Sequence, residues 1–152
     1  MSVLVSDRKE SKFEAITYSV ELRSLLIELM QRGFGVKDIN DVARRRYAFK
    51  KDDIENPAKY IYLIQNFKNR IDKTTSLIVN NVRAANSIYP TSIAEYEQRR
   101  GYQNIAIANC EQLISELQQV IEIFEVDINI YGKYIKAIDR EIGLIKKWRQ
   151  KD

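Results

Sequence analysis

The chain contains no histidine. Imidazole is the usual general base near neutral pH, the commonest zinc ligand and the centre of most nucleophilic triads, so most hydrolase mechanisms lose their proton carrier. Proline occurs twice and glycine five times in 152 residues. Hairpin turns and phosphate-cradling loops are built from these residues, which leaves helix as the expected secondary structure and supplies no Walker-type or dinucleotide-binding loop. The lone Cys110 has no second thiol for a disulfide, and within an apolar helical stretch it reads as a small buried hydrophobe in a reducing cytoplasm. No run approaches the ~18 apolar residues of a membrane span, and Met1 to Lys9 lack the apolar segment of a signal peptide. These absences predict a cytoplasmic protein with no membrane segment, no catalytic residue, no cofactor and no metal site.

What is present is helical patterning. With 45% apolar residues the chain can bury one core of ordinary size, and a single domain is expected. Residues 1–10 read as a flexible tail. Ser11 and Glu14 have the spacing of a capping box, which predicts a first helix over about 11–32, with Phe13, Ile16, Val20, Leu26, Ile27 and Met30 as its stripe, widened by Leu22, Leu25 and Leu29. Gly33 and Gly35 tolerate the left-handed stop. Residues 33–56 read as an irregular connector, and Asn56-Pro57 as the start of a helix over 57–89. In that helix Tyr60, Ile64, Phe67, Ile71, Thr74, Ile78, Val82, Ala85 and Tyr89 recur every three or four residues, the seam of helices packed at a shallow angle. Pro90 ends it, and Ser92 with Glu95 opens a third helix over 92–125, whose face runs through Tyr96, Tyr102, Ile105, Cys110, Leu113, Leu117, Val120 and Phe124. Asp127 or Asn129 caps a fourth over 128–150, with Tyr131, Ile135, Ile138, Ile142 and Ile145. Short links force antiparallel neighbours, so the predicted fold is all-α: an antiparallel up-down four-helix bundle, residues 11–152, with a longer irregular first connection.

The charges are local. Lys and Arg exceed Asp and Glu by 25 to 21, a mild excess that permits polyanion binding. Arg44, Arg45, Arg46, Lys50 and Lys51 lie within eight residues, with Tyr47 and Phe49 between them. Cations neutralise phosphates and release counterions, while an adjacent aromatic ring can stack on an unpaired base, so this cluster is the leading candidate contact for RNA or DNA. The alternative is a solvated loop whose aromatic residues dock on the bundle. Lys146, Lys147 and Arg149 form a second group, which also complements the dipole of a helix C-terminus. Arg99 and Arg100 beside Tyr96 and Tyr102 form a third. Against these, residues 110–127 carry five acids and no base. Glu111, Glu122 and Glu125 flank the apolar stripe as a solvated or partner-facing surface does, and a di-iron bundle would need Glu-x-x-His pairs. Opposite charges at separate places suit self-assembly.

At the junction of the second and third helices the residues run Arg83-Ala84-Ala85-Asn86-Ser87-Ile88-Tyr89-Pro90-Thr91-Ser92-Ile93-Ala94-Glu95. This resembles the signature R-A-A-x-S-I-P-x-N-I-A-E-G of a four-helix-bundle family. That family includes proteins encoded by intervening sequences in bacterial 23S ribosomal RNA genes, and Avd, the accessory variability determinant of diversity-generating retroelements. The likeness continues through Ala106, Ala108, Leu113, Glu116 and Leu117 and covers roughly 57–148. It departs at Tyr89, an extra residue, at Ser92, where Asn is usual, and at Tyr96, where the signature has glycine. For the Avd branch the resemblance implies a homo-oligomer, a pentamer, that binds a reverse transcriptase and nucleic acid through a basic surface and supports mutagenic complementary-DNA synthesis without catalysing it. The other expected class is a helical scaffold or oligomerisation module that binds no nucleic acid.

Overall fold

The computed structural model describes residues 5–36, 57–124 and 126–152. Among them are helices α1 (Val5–Gln31), α2 (Pro57–Ser87), α3 (Ile93–Phe124) and α4 (Ile128–Lys151), with a short 3₁₀ turn at Gly33–Gly35 after α1. Each helix packs against two neighbours, α1 on α2 and α4, and α3 on α2 and α4. Contacts between α1 and α4 join Tyr18 to Arg140 and Phe34 to Tyr131, so these helices run antiparallel. Arg23 meets Asp72 and Phe34 meets Phe67 between α1 and α2 in the same sense. The fold is the four-helix bundle that the seams predict. No helix among the described residues is long and apolar enough to cross a membrane.

Buried positions form a seam on each helix in steps of three and four: Ala15, Ser19, Leu22, Leu26, Leu29 on α1; Phe67, Ile71, Thr74, Ile78, Val82, Ala85 on α2; Arg99, Gln103, Ala106, Cys110, Leu113, Leu117, Val120, Phe124 on α3; Tyr131, Tyr134, Ile138, Glu141, Ile145, Trp148 on α4. That period keeps one stripe facing the bundle axis. Each seam admits at least one polar residue, and this accounts for most departures from the sequence expectation. On α1 the apolar residues Phe13, Val20 and Ile27 are exposed, because Ala15 and Ser19 turn inward. On α3, Tyr96 and Ile105 are exposed while Arg99 and Gln103 are buried. Tyr89 lies beyond the end of α2 and is exposed.

Local signals set the helix ends, with one correction. Pro57 opens α2 and α2 ends ahead of Pro90. The Ser92 hydroxyl accepts from the Glu95 N–H at 3.3 Å, and the Glu95 carboxylate accepts from the Thr91 N–H at 3.3 Å, closing the capping box that opens α3. Asp127 caps α4, accepting from the Asn129 N–H at 3.0 Å. The expected start at Ser11 is wrong: α1 begins at Val5. Residues 5–10 contain no Pro or Gly to stop a helix, so the Ser11–Glu14 spacing sits inside α1 and residues 5–10, expected in a tail, are helical.

Aromatic residues close one end of the bundle. Phe34 and Phe124 lie edge-on to Phe67, with ring centres 6.5 and 5.9 Å away. Phe34 adopts a left-handed φ of 60° between Gly33 and Gly35, themselves at 60° and 82°. A left-handed residue with a side chain costs about 1–2 kcal/mol. Full burial of a Phe contributes about 1.5–3 kcal/mol, and the Tyr131 hydroxyl donates to the Phe34 carbonyl at 2.6 Å, so docking outweighs the strain. Mid-bundle, the Thr74 hydroxyl and the Gln112 amide donate to buried Glu116 at 3.0 and 3.1 Å. The opposite end carries the candidate site.

Candidate nucleic-acid interface

Adjacent arginines have opposite fates. A rotation of about 100° separates neighbours on a helix, and on α3 this sends Arg99 inward, 7% exposed, and Arg100 to the surface. The Arg99 guanidinium donates from Nη2 to the Ile88 carbonyl at 2.7 Å, from Nε to the Ala85 carbonyl at 3.3 Å, and from Nη1 to the Asp152 carboxylate at 3.0 Å. It also lies 5.8 Å from the centre of the Trp148 ring. The Gln103 amide holds the other Asp152 oxygen at 3.0 Å. The planar fork of Arg99 supplies a donor to the Ile88 carbonyl and a second one to the Ala85 carbonyl, which also accepts from the Ile88 N–H, while binding α3 to the last turn of α4. Arg99 is therefore a structural clamp, and its expected role as a nucleic-acid contact is corrected: it is buried, its charge is paired with Asp152, and three of its five N–H groups are committed to acceptors inside the fold.

Arg100 and the C-terminal bases do converge. Arg100 and Asn104 on α3, with Lys146, Arg149 and Gln150 on α4, line a shallow groove of about 620 Å³. Positions 100 and 104 are one helical turn apart, as are 146 and 150, so each helix offers one edge. The Arg149 guanidinium donates to the Asn104 side-chain oxygen at 2.7 Å, which holds it over the groove. Among the described residues Arg100 and Lys146 have no ion-pair partner, so their charge is available to an anion. Lys147 is exposed on α4 but is not among the residues lining the groove. Arg44, Arg45, Arg46, Lys50 and Lys51 lie outside the described residues.

A second cleft, of about 280 Å³, adjoins the first and is lined by Ile93, Tyr96, Glu97, Arg100, Gln103 and Asp152. Arg100 borders both. Nearby, the Lys12 ammonium sits 5.6 Å from the centre of the Tyr89 ring. Partial burial and then the Arg99 charge pull the Lys12 pKa below its ordinary value, with Asp152 opposing them. Reading the sequence helix by helix missed Lys12, Asn104 and Gln150, because only packing brings their helices together at this end. The one available signal was the step from 146 to 150, which matches the step from 100 to 104.

Comparison of the chain with protein-family models, with curated proteins and with solved structures found no match in any of the three. The chemistry of the groove therefore stands on its own residues. Of the acidic stretch, Glu111, Glu122 and Asp127 are exposed and Glu116 is buried. Among the described residues no three His, Cys, Asp or Glu side chains converge as metal ligands would. Cys110 is buried, and burial, with Glu141 and Glu111 nearby, pushes its thiol well above the ordinary range, so it is a poor nucleophile.

Proposed function

We propose that the chain is a non-catalytic accessory protein that binds RNA or DNA through the groove between α3 and α4. As the resemblance to Avd implies, it would act as a homo-oligomer beside a retroelement reverse transcriptase and support mutagenic complementary-DNA synthesis. The observation that carries this reading is the convergence of Arg100, Lys146 and Arg149 on one groove from two helices. Three cations fixed around a concave surface suit a chain of phosphates better than scattered surface charge does. The absence of histidine supports a binding role over catalysis. Arg44, Arg45, Arg46, Lys50 and Lys51 stay candidate phosphate contacts on their sequence alone.

The test is fluorescence anisotropy with short single-stranded RNA and DNA between 50 and 200 mM salt, conditions over which phosphate contacts lose affinity steeply. Replacing Arg100, Lys146 and Arg149 together by Ala should flatten the slope of log K against log salt by about 2, at ~0.7 per single-strand phosphate contact. A wild-type protein whose binding ignores salt, or a triple variant with an unchanged slope, rules the groove out. Co-purification with a reverse transcriptase tests the partner.

A second reading, a helical scaffold, draws on Phe13, Val20 and Ile27. These lie seven residues apart on the outer face of α1, all exposed, and Phe13 and Ile27 each border a shallow cleft. An apolar line of that period suits a further helix, from a second copy or another protein. Light scattering distinguishes the readings: a stable oligomer with no affinity for nucleic acid favours the scaffold.

A further inference from the structure

We propose that the cleft beside Tyr96 holds a single unpaired nucleobase whose phosphate rests on Arg100, which makes the site selective for single strands. This deepens the reading of the groove as a phosphate site and rests on it. On α3 the residues Ile93, Tyr96, Glu97, Arg100, Gln103 and Asn104 follow helical spacing and form one stripe along the edge that faces the end of α4. The character of the stripe changes along its length. Its first turn is apolar and flat, with Tyr96 44% and Ile93 80% exposed. Its later turns are cationic and amide-rich, where Arg100 and Asn104 face Lys146, Arg149 and Gln150.

A nucleotide has the same polarity of chemistry, an aromatic ring joined to an anion. Arg100 lies one turn beyond Tyr96, about 6 Å along the helix, a distance that one nucleotide bridges between base and phosphate. The cleft, at about 280 Å³, falls just below the range of drug-sized ligand sites, about 300–1,000 Å³. It has room for one ring system and no extended ligand. In its lining the Gln103 amide donates to Asp152, whose charge is paired with Arg99. Glu97, exposed at the rim, is an acceptor for the exocyclic amines of adenine, cytosine or guanine, whereas thymine and uracil carry none. A base stacked inside a duplex cannot offer its face to Tyr96, so the geometry selects unpaired strands.

The experiment uses the full chain and three probes of equal phosphate count, each in DNA and in RNA form where it exists. They are an oligocytidine strand, an abasic strand, and a blunt duplex. The strand with bases is expected to bind about tenfold or more tightly than the abasic strand, as aromatic stacking on one base allows. Tyr96→Ala should erase that difference and leave the salt slope unchanged; Tyr96→Phe should restore it, and thermal melts confirm that both variants fold. If the wild type binds base-bearing and abasic strands equally with a normal salt slope, the base cleft is wrong while the phosphate groove stands. If no probe binds in a salt-dependent way, the groove and the cleft fall together. Equal binding of duplex and single strand by the wild type also overturns the proposal.

Discussion

Replacing Glu141 by Gln should stabilise the protein at alkaline pH and leave it nearly unchanged at pH 4. Glu141 occupies a core position of α4, fully buried, and neither carboxyl oxygen has a hydrogen-bond partner among the described residues. Burial raises its pKa from 4.5 to about 8, with Arg140 next to it opposing the rise, while the buried Cys110 thiol of α3 lies close enough to be raised by it in turn. In the unfolded chain the carboxyl ionises near 4.5, so between 4.5 and 8 the unfolded state binds fewer protons than the folded state. Stability attached to this group is complete below pH 4.5 and is lost as pH rises through about 8. Across that interval, about 1.4 kcal/mol per pH unit puts the loss at about 3–5 kcal/mol. Glutamine has nearly the shape of the protonated acid and never ionises, so it removes this loss. Urea unfolding of both proteins at pH 4, 6.5, 8 and 9 measures it. The two stabilities should nearly coincide at pH 4, below the unfolded pKa, and separate by about 3–5 kcal/mol at pH 9, with the variant more stable. Parallel profiles would mean that Glu141 is solvated or ionised in the folded protein, and would refute the reasoning. The raised pKa of Glu116, also caused by burial, acts in the same direction but is common to both proteins and cancels from the difference.

Arg99→Ala removes a donor from the Ile88 carbonyl and the paired cation from Asp152, while the Ala85 carbonyl keeps the Ile88 N–H and Asp152 keeps the Gln103 amide. It should cost about 2–4 kcal/mol in urea unfolding, as loss of one partner of a buried hydrogen-bonded pair does. Arg100→Ala should stay within about 0.5 kcal/mol of wild type and instead flatten the salt dependence of nucleic-acid binding; the reverse result for this pair would invert the assignment of clamp and contact. Gly35→Ala places a Cβ at φ 82° and 3.4 Å from the Ile130 Cδ1, for an expected loss of about 1–2 kcal/mol. Gly33→Ala meets open space at φ 60° and should cost less, so an equal loss at both positions in thermal melts would show that contact with Ile130 contributes nothing.

The seam of α2 was legible almost residue by residue because its core positions are apolar except Thr74. The capping box at Ser92 and the proline at 57 were legible because the chemistry of a helix end is local. The errors fall where a core position is polar or an exposed one is apolar. Following apolar residues alone puts Phe13, Val20 and Ile27 inside and passes over Ser19, Arg99, Gln103 and Glu141, which the structure buries. Nothing within α3 distinguishes Arg99 from Arg100. The distinction comes from Ala85, Ile88 and Asp152, acceptors that lie up to 53 residues away in sequence.

The amino-acid sequence by itself therefore determined that this protein is an all-helical bundle with particular helix ends, because periodicity and capping depend on neighbours within a few residues. It also restricted the available chemistry, since a chain without histidine and with one cysteine lacks those groups in any fold. Which cations face solvent together, and which one is spent holding helices to each other, was decided only by the tertiary structure. Arg100, Lys146 and Arg149 share a groove because α3 and α4 run antiparallel with this register, and register depends on how whole faces pack.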